Sequence, residues 1–379
     1  MKREEILVLI TGLLGIFVGL GLARFAYTVI LEPMRAGLEL GYTEMGTIAS
    51  LNFFGYVLFS PVVGILATKY GSKKVVLGSM AIIVVSLYLT SLSRGFVDAG
   101  VYRFLTGAGS AGVNVGLVGL MAKWFDERSR GFALGVINSG SSWGIIFAGA
   151  TIPYVVLSYG WNAGWVFLSV ISLFVLLMLL PLKEVPSDFV PEVKVKSGDV
   201  YRHKPLIVLG ISYVFFGASY IIFVTFYTSH IIKNGIGYEV AGHLWAIVGV
   251  LSIVSAITWG RISDKIGRKQ AISAVYLLMG SAFLVFALAS SLGFFLISTL
   301  MAGLSMLAIP PLVQAYCGDI AGKNSASAAI GFVTLFFGIG QMFGPGVAGF
   351  LADLTGDFVL PLALAGTLGI AGGIVVRKT

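Results

Sequence analysis

The chain has 379 residues, of which 57% are hydrophobic and only 11% charged, with 50 glycines and a formal net charge of +8. A mean hydropathy of +0.96 excludes a water-soluble globular protein, which needs a charged shell. The apolar runs are about 20 residues long, which fits membrane helices and excludes a barrel of alternating strands of about 10.

The hydropathy pattern predicts twelve spans, at 6–31, 43–67, 75–93, 98–121, 131–157, 162–182, 205–229, 238–259, 271–290, 292–316, 325–351 and 358–376. With the N-terminus inside, every one of the 25 Lys and Arg falls on a cytoplasmic segment except Arg24, Arg35, Arg94, Arg103 and Lys233. That asymmetry accounts for the basic charge through the positive-inside rule and leaves no reason to invoke nucleic acid. It places both termini in the cytoplasm and the protein in the inner (cytoplasmic) membrane. Lys2 and Arg3 precede an apolar run too long for a signal peptide and lacking a small-residue cleavage pattern, so it reads as a retained first helix. Cys317 stands alone, which excludes an intrachain disulfide and a Cys-based metal site.

The first span carries Gly12, Gly15, Gly19 and Gly21, which permit close helix contact. It continues through Ala23-Arg24-Phe25-Ala26-Tyr27-Thr28 to Glu32-Pro33 near the outer face. The second span places Asn52 and Tyr56 one turn apart and ends in a glycine- and lysine-bearing turn, Gly64–Lys74. The fourth begins near Asp98 and puts Arg103, Gly107, Ser110 and Asn114 on one face. A loop, Lys123–Arg130, leads to the fifth, where Asn138 through Gly144 is a run of small residues closed by Trp143 and Gly144. Lys183–Lys204, with Pro186, Pro191 and many charges, reads as a cytoplasmic linker between an N-terminal six-helix bundle, 1–182, and a C-terminal one, 205–379.

In the seventh span Tyr213, Tyr220 and Tyr227 share one face, and Tyr220 falls near mid-membrane, where a phenol needs a partner or a wet cavity. His230 and His243 flank the following outer loop and are expected to be solvated rather than catalytic. After the eighth span comes a second charged turn, Gly260–Lys269. The tenth runs Thr299, Gly303, Met306, Pro310, Gln314 on one face, with Pro310-Pro311 interrupting the helix, as is tolerated where protein or a cavity takes up the freed carbonyls.

An internal repeat is visible in the glycines. At one offset Gly64 and Gly71 fall on Gly260 and Gly267; at a slightly longer one Gly140, Gly144, Ala148 and Gly149 fall on Gly340, Gly344, Ala348 and Gly349. Two matches separated by a small loop indel predict a duplicated six-helix unit, hence an all-α membrane protein of two pseudo-symmetric bundles.

The turn Gly260–Lys269 and its degenerate partner Gly64–Lys74, with Thr68 where the later copy has Asp264, together with Arg103-x-x-x-Gly107, resemble the major facilitator superfamily over the whole chain. The resemblance implies two bundles around a cavity lined by the first, fourth, seventh and tenth helices, and secondary transport by alternating access. Ala23–Tyr27 through Pro33-Met34-Arg35 resembles an uncharacterised bacterial and archaeal branch of that superfamily. Lys123-Trp124-Phe125-Asp126-Glu127-Arg128 through Tyr159-Gly160-Trp161 is similar to the monocarboxylate transporters and oxalate–formate exchangers. The chain departs from these at Tyr238–Trp259, which holds no Arg or Lys where they use a basic residue.

Arg24 and Arg103 lie about 8 and about 10 Å beyond the middles of their spans on the same outer side. An intramembrane cation is a functional candidate by default. No Asp or Glu sits deep in a span to neutralise the two, and a fork-shaped donor suits a carboxylate. The expected substrate site is asymmetric: Arg24, Tyr27, Arg103 and Asn114 bind charge, and Tyr220, Thr299 and Gln314 orient by hydrogen bonds. An alternative role for Arg103 is to bond carbonyls of the first helix, or Glu32 or Asp98. Glu32 is the candidate for proton coupling, while anion exchange needs no titrating group. Asp264 and Arg268, on the turn set by Gly260 and Gly267, are the candidate conformational gate.

The expected activity is transport of a small organic anion such as a monocarboxylate, by proton symport or anion exchange, in a monomer with no cofactor. Efflux of drug-like or neutral solutes, and a non-transporting receptor, are the alternatives. With three histidines near loops and one cysteine, an embedded enzyme is not expected.

Overall fold

A computed structural model describes residues 3–184, 200–322 and 325–379. Among these, twelve helices are long and apolar enough to cross a membrane. They are α1 Glu4–Leu38, α2 Tyr42–Tyr70, α3 Ser72–Ser91, α4 Phe96–Trp124, α5 Ser129–Tyr159, α6 Trp161–Leu179, α7 Lys204–Lys233, α8 Tyr238–Ile266, α9 Arg268–Ala287, α10 Leu292–Ala321, α11 Ala328–Thr355 and α12 Val359–Lys378. Each corresponds to one predicted span, with ends that differ by a few residues, since only a helix satisfies its own backbone in lipid. The core of the predicted linker, 185–199, lies outside the described residues.

The charged turns are shorter than the sequence predicts. Residues 64–70 and 260–266 continue α2 and α8, and the reversal is made at a single residue in each copy. Gly71 (φ 92°, ψ 147°) and Gly267 (φ 91°, ψ 147°) hold the same left-handed conformation and start the next helix. That φ is open to glycine and costly for other residues. Lys123–Arg130 likewise shrinks: the helix of α5 starts at Glu127, two residues before its apolar span, so only Phe125 and Asp126 lie between helices, and Asp126 caps it by accepting from the Ser129 N–H at 2.9 Å.

The described residues divide into two compact units, 3–40 with 51–184, and 41–50 with those from 200 onward. In the first, α1 crosses α5 at glycines: a Cβ on Gly140 would stand 2.4 Å from the Leu13 carbonyl oxygen, and one on Gly144 would stand 2.3 Å from Gly21 Cα. In the second, the partners matched by the repeat serve the crossing of α7 and α11. A Cβ on Gly340 would stand 2.2 Å from the Val214 oxygen, and one on Gly344 3.0 Å from Ile221. Lipid offers no hydrophobic drive for helix pairing, so such close backbone approach carries the association. Gly144→Ala is therefore expected to lower the melting temperature by several degrees, overpacking costing about 1–3 kcal/mol. Gly131→Ala on the same helix, where a Cβ meets nothing within 4 Å, is expected to leave it unchanged or higher. Equal unfolding temperatures for the two variants would contradict this packing.

Among the described helices, two depart from α geometry in their interiors. Within α1, Phe17–Phe25 is a π-helix, a wider coil concentrated at functional sites. In α10 the break falls at 304–308, just before Pro310-Pro311, which sit in the first turn of the resumed helix. There proline's missing N–H costs nothing. The freed Leu304 carbonyl accepts bonds from Ser255 Oγ and Trp259 Nε1 of α8, each at 2.8 Å. Protein groups therefore satisfy this part of the break.

Candidate functional site

The two deep arginines have different surroundings. Arg103 of α4 is 1% exposed. Its Nη2 donates to the Ala23 carbonyl of the π-helical stretch at 2.7 Å, and its Cζ lies 4.9 Å from the Trp165 ring centre and 5.3 Å from that of Tyr27. Tyr27 is itself buried, 3% exposed. Asn52 Nδ2 donates to the Arg103 carbonyl at 2.9 Å. Asp98, considered as a partner, instead caps α4 by accepting from the Arg94 and Gly95 N–H groups at 2.7 and 3.0 Å. Arg103 thus ties α1, α4 and α6 together.

Arg24 protrudes from the π-helical stretch and is only partly buried. Its Cζ lies 4.2 Å from the Tyr56 ring centre and 4.9 Å from that of Phe53, both on α2. Its Nε and Nη2 are buried without a hydrogen-bond partner. Asn114 Nδ2 of α4 donates to Tyr56 Oη at 2.6 Å, so the first unit brings Arg24, Tyr56 and Asn114 into one cluster.

The electrostatics of Arg24 are nearly balanced. A cation at membrane depth costs about 2.5–3.5 kcal/mol on insertion scales, and a cation–π contact returns ~0.5–2 kcal/mol. Aromatic faces attract the guanidinium but accept no in-plane hydrogen bonds. Its N–H edge therefore remains available to a planar, bidentate acceptor. Phe53 is absent from the predicted site, and the Asn52–Tyr56 pairing on one turn of α2 was the available sequence signal for the neighbouring tyrosine.

In the second unit, Tyr220 is 3% exposed, accepts from Gln341 Nε2 at 3.1 Å and stacks on Phe216 and Phe337 at 5.1 and 5.9 Å. Thr299 is fully buried, bonded to Tyr227 Oη at 2.5 Å and to the Phe295 carbonyl at 2.6 Å. Gln314 is exposed. Tyr220 and Thr299 therefore sit in packed, satisfied surroundings. His230, expected in solvent, is 3% exposed and shares a hydrogen bond of 3.0 Å with the Phe286 carbonyl; aromatic neighbours Phe286 and Phe295 cover it.

Glu32 pairs with Arg35 one turn later, at 2.7 Å, and Arg35 also donates to the Leu40 carbonyl at 3.3 Å. At the second charged turn Arg268 pairs with Asp264 at 2.8 Å and approaches Asp319 of α10 at 3.6 Å. Gly260 has nothing within 4 Å of a would-be Cβ, whereas Gly267 is needed for its φ. In the first copy Thr68 Oγ1 bonds back to the Gly64 carbonyl.

Comparison with known proteins places these observations in context. Residues 16–377 match the family described as uncharacterised MFS-type transporter YbfB. The chain is 26% identical to the hexuronate transporter of Bacillus subtilis, covering 94% of this chain and 90% of that one. It is 24% identical to monocarboxylate transporter 12 of Xenopus laevis, covering 75% and 68%. Among solved structures, the nucleoside transporter NupG superposes with a TM-score of 0.81 over 99% of both chains at 13% identity, which speaks to the fold.

Proposed function

Because the chain belongs to the MFS transporter family described for YbfB, we propose that it carries a small organic anion, such as a monocarboxylate, bound through Arg24. The protein is a multi-pass MFS secondary transporter with twelve spans rather than an enzyme, so its partner is a small-molecule substrate. The observation that carries the anion reading is the guanidinium of Arg24, stacked on Tyr56 and Phe53 with Nε and Nη2 unpartnered. The charge supply supports one carboxylate rather than two: Arg103 also has two unpartnered nitrogens, Nε and Nη1, but it is 1% exposed and its third already donates to Ala23. The names of the hexuronate and monocarboxylate relatives fit the same chemistry.

Exchange is the simpler reading, because a returning anion recharges the site without a titrating group, and Glu32, the alternative coupling carboxylate, is held beside Arg35 at 2.7 Å. The Asp264–Arg268 pair, with Asp319 beside it, is the proposed gate at the charged turn, and both termini are assigned to the cytoplasm. Gln314, the exposed amide of α10, is the feature that would instead suit a neutral solute.

Proteoliposomes loaded with unlabelled monocarboxylate are expected to take up labelled monocarboxylate several-fold faster than empty ones, with Asp264→Asn slowing exchange at unchanged affinity. Uptake driven only by a pH gradient, and lost in Glu32→Gln, would overturn the exchange reading. Uptake of sugars or nucleosides alone would overturn the anion reading.

A further inference from the structure

Helix α2 is shared. Its first residues, Gly41–Ser50, belong to the second unit, while Leu51 onward belong to the first. What holds the opening turns in the second unit is concentrated on α11. The Asp353 carboxylate accepts from the Tyr42 N–H at 2.9 Å, from the Thr43 N–H at 2.7 Å and from Thr43 Oγ1 at 2.6 Å. The free amides at the start of a helix carry partial positive charge, so a carboxylate there makes charge-assisted bonds. Behind this cap the two backbones touch. A Cβ on Gly349 would stand 2.1 Å from the Tyr42 oxygen, and one on Gly46 2.1 Å from the Pro345 oxygen. Ser50 Oγ accepts from the Gly346 N–H at 3.2 Å, and the Tyr42 ring packs edge-on to Phe358 at 4.7 Å.

The local cap of α2 does not require Asp353. Glu44 already reaches back to the Gly41 N–H at 2.8 Å, as an acid at the third helical position does. Asp353 comes from 310 residues away along the chain and takes the next two amides. The carboxylate itself is exposed, so water can take over its bonds to the Tyr42 and Thr43 amides and the Thr43 hydroxyl, and the contact is one that can open and re-form.

We propose that Asp353 is the latch that keeps the N-terminal turns of α2 docked on α11, and that its release is a step of the transport cycle at the membrane face opposite the chain termini. Asp353 acts as a positioning residue: it sets how often residues 41–50 leave α11. The inference does not depend on which solute is carried.

The test is the reactivity of a thiol placed under the latch. Thr47 lies on the docked segment, its Oγ1 3.8 Å from where a Cβ on Gly346 would be, and Cys317 is fully buried in the same unit. In purified full-length Thr47→Cys protein, maleimide labelling at each cysteine is followed by mass spectrometry. Adding Asp353→Ala is expected to speed labelling at position 47 by at least about tenfold, with Thr43→Val giving a smaller rise and Cys317 staying protected throughout. Labelling at 47 that is unchanged in Asp353→Ala would overturn the latch. Labelling of Cys317 that rises in step with position 47 would also overturn it, because Asp353 would then be holding the whole unit together.

Discussion

Arg24→Gln is expected to abolish carboxylate uptake while the purified protein keeps its melting temperature to within a few degrees. Most substitutions of a deep residue damage folding, and this one is not expected to. The guanidinium makes no hydrogen bond through Nε or Nη2, so removing it relieves a desolvation cost of about 2.5–3.5 kcal/mol. What is lost is stacking on Tyr56 and Phe53, ~0.5–2 kcal/mol for each contact. The two terms nearly cancel in the folded state. They do not cancel in the bound state, where a carboxylate would lose its charged, bidentate partner, typically about 2–5 kcal/mol or roughly 30- to several-thousand-fold in affinity. Arg24→Lys keeps the charge but not the planar fork, and is expected to retain weak uptake at raised KM. Wild-type uptake in Arg24→Gln would remove this residue from the site.

Arg103→Ala is expected to do the opposite, lowering stability by about 2 kcal/mol. Truncating a large, fully buried side chain costs about 2–5 kcal/mol, and losing the charged bond to the Ala23 carbonyl adds ~1.5–3 kcal/mol. Release of the two buried, unpartnered nitrogens Nε and Nη1 offsets roughly 2.5–3.5 kcal/mol of that. Arg103→Met refills the volume against Tyr27 and Trp165 and loses the carbonyl bond and the two cation–π contacts, so thermal unfolding should rank wild type above Met above Ala. The surviving fraction of either variant should bind substrate at nearly wild-type affinity. A fully stable Arg103→Met protein that no longer binds carboxylates would move Arg103 into the binding site and overturn its assignment as the tie between α1, α4 and α6.

The contrast between these arginines was half legible in the sequence. Depth within a span and the absence of a deep acid marked both as exceptional. What separates them is the company each keeps. Tyr56 and Phe53 are far from Arg24 along the chain, and Trp165 is farther still from Arg103, so no spacing rule pairs them. The π-helical stretch Phe17–Phe25 changes which way Arg24 projects, and no residue in it signals the wider coil.

The duplication, in contrast, was readable because it rests on backbone requirements. Gly71 and Gly267 share a φ that restricts the residue, and Gly140, Gly144, Gly340 and Gly344 stand where a side chain cannot fit. Where a residue is chosen by its environment, the sequence misleads. His230 looks like an outer-loop histidine, yet it is enclosed by Phe286 of α9, Phe295 of α10 and Phe358 just ahead of α12. The partition of α2 at residue 50 was equally hidden, since Asp353 reads as an ordinary acid at a helix end.

Thermal unfolding of wild type and Arg24→Gln against a series of monocarboxylates, dicarboxylates, amines and sugars tests the central claim most directly. A ligand that binds only the folded state raises stability by about 2.7 kcal/mol at a hundred times its Kd. At least one monocarboxylate is expected to raise the wild-type melting temperature by several degrees, and Arg24→Gln, equally stable alone, is expected to show no rise. A rise that persists in Arg24→Gln, or one produced only by uncharged solutes or amines, would contradict the claim.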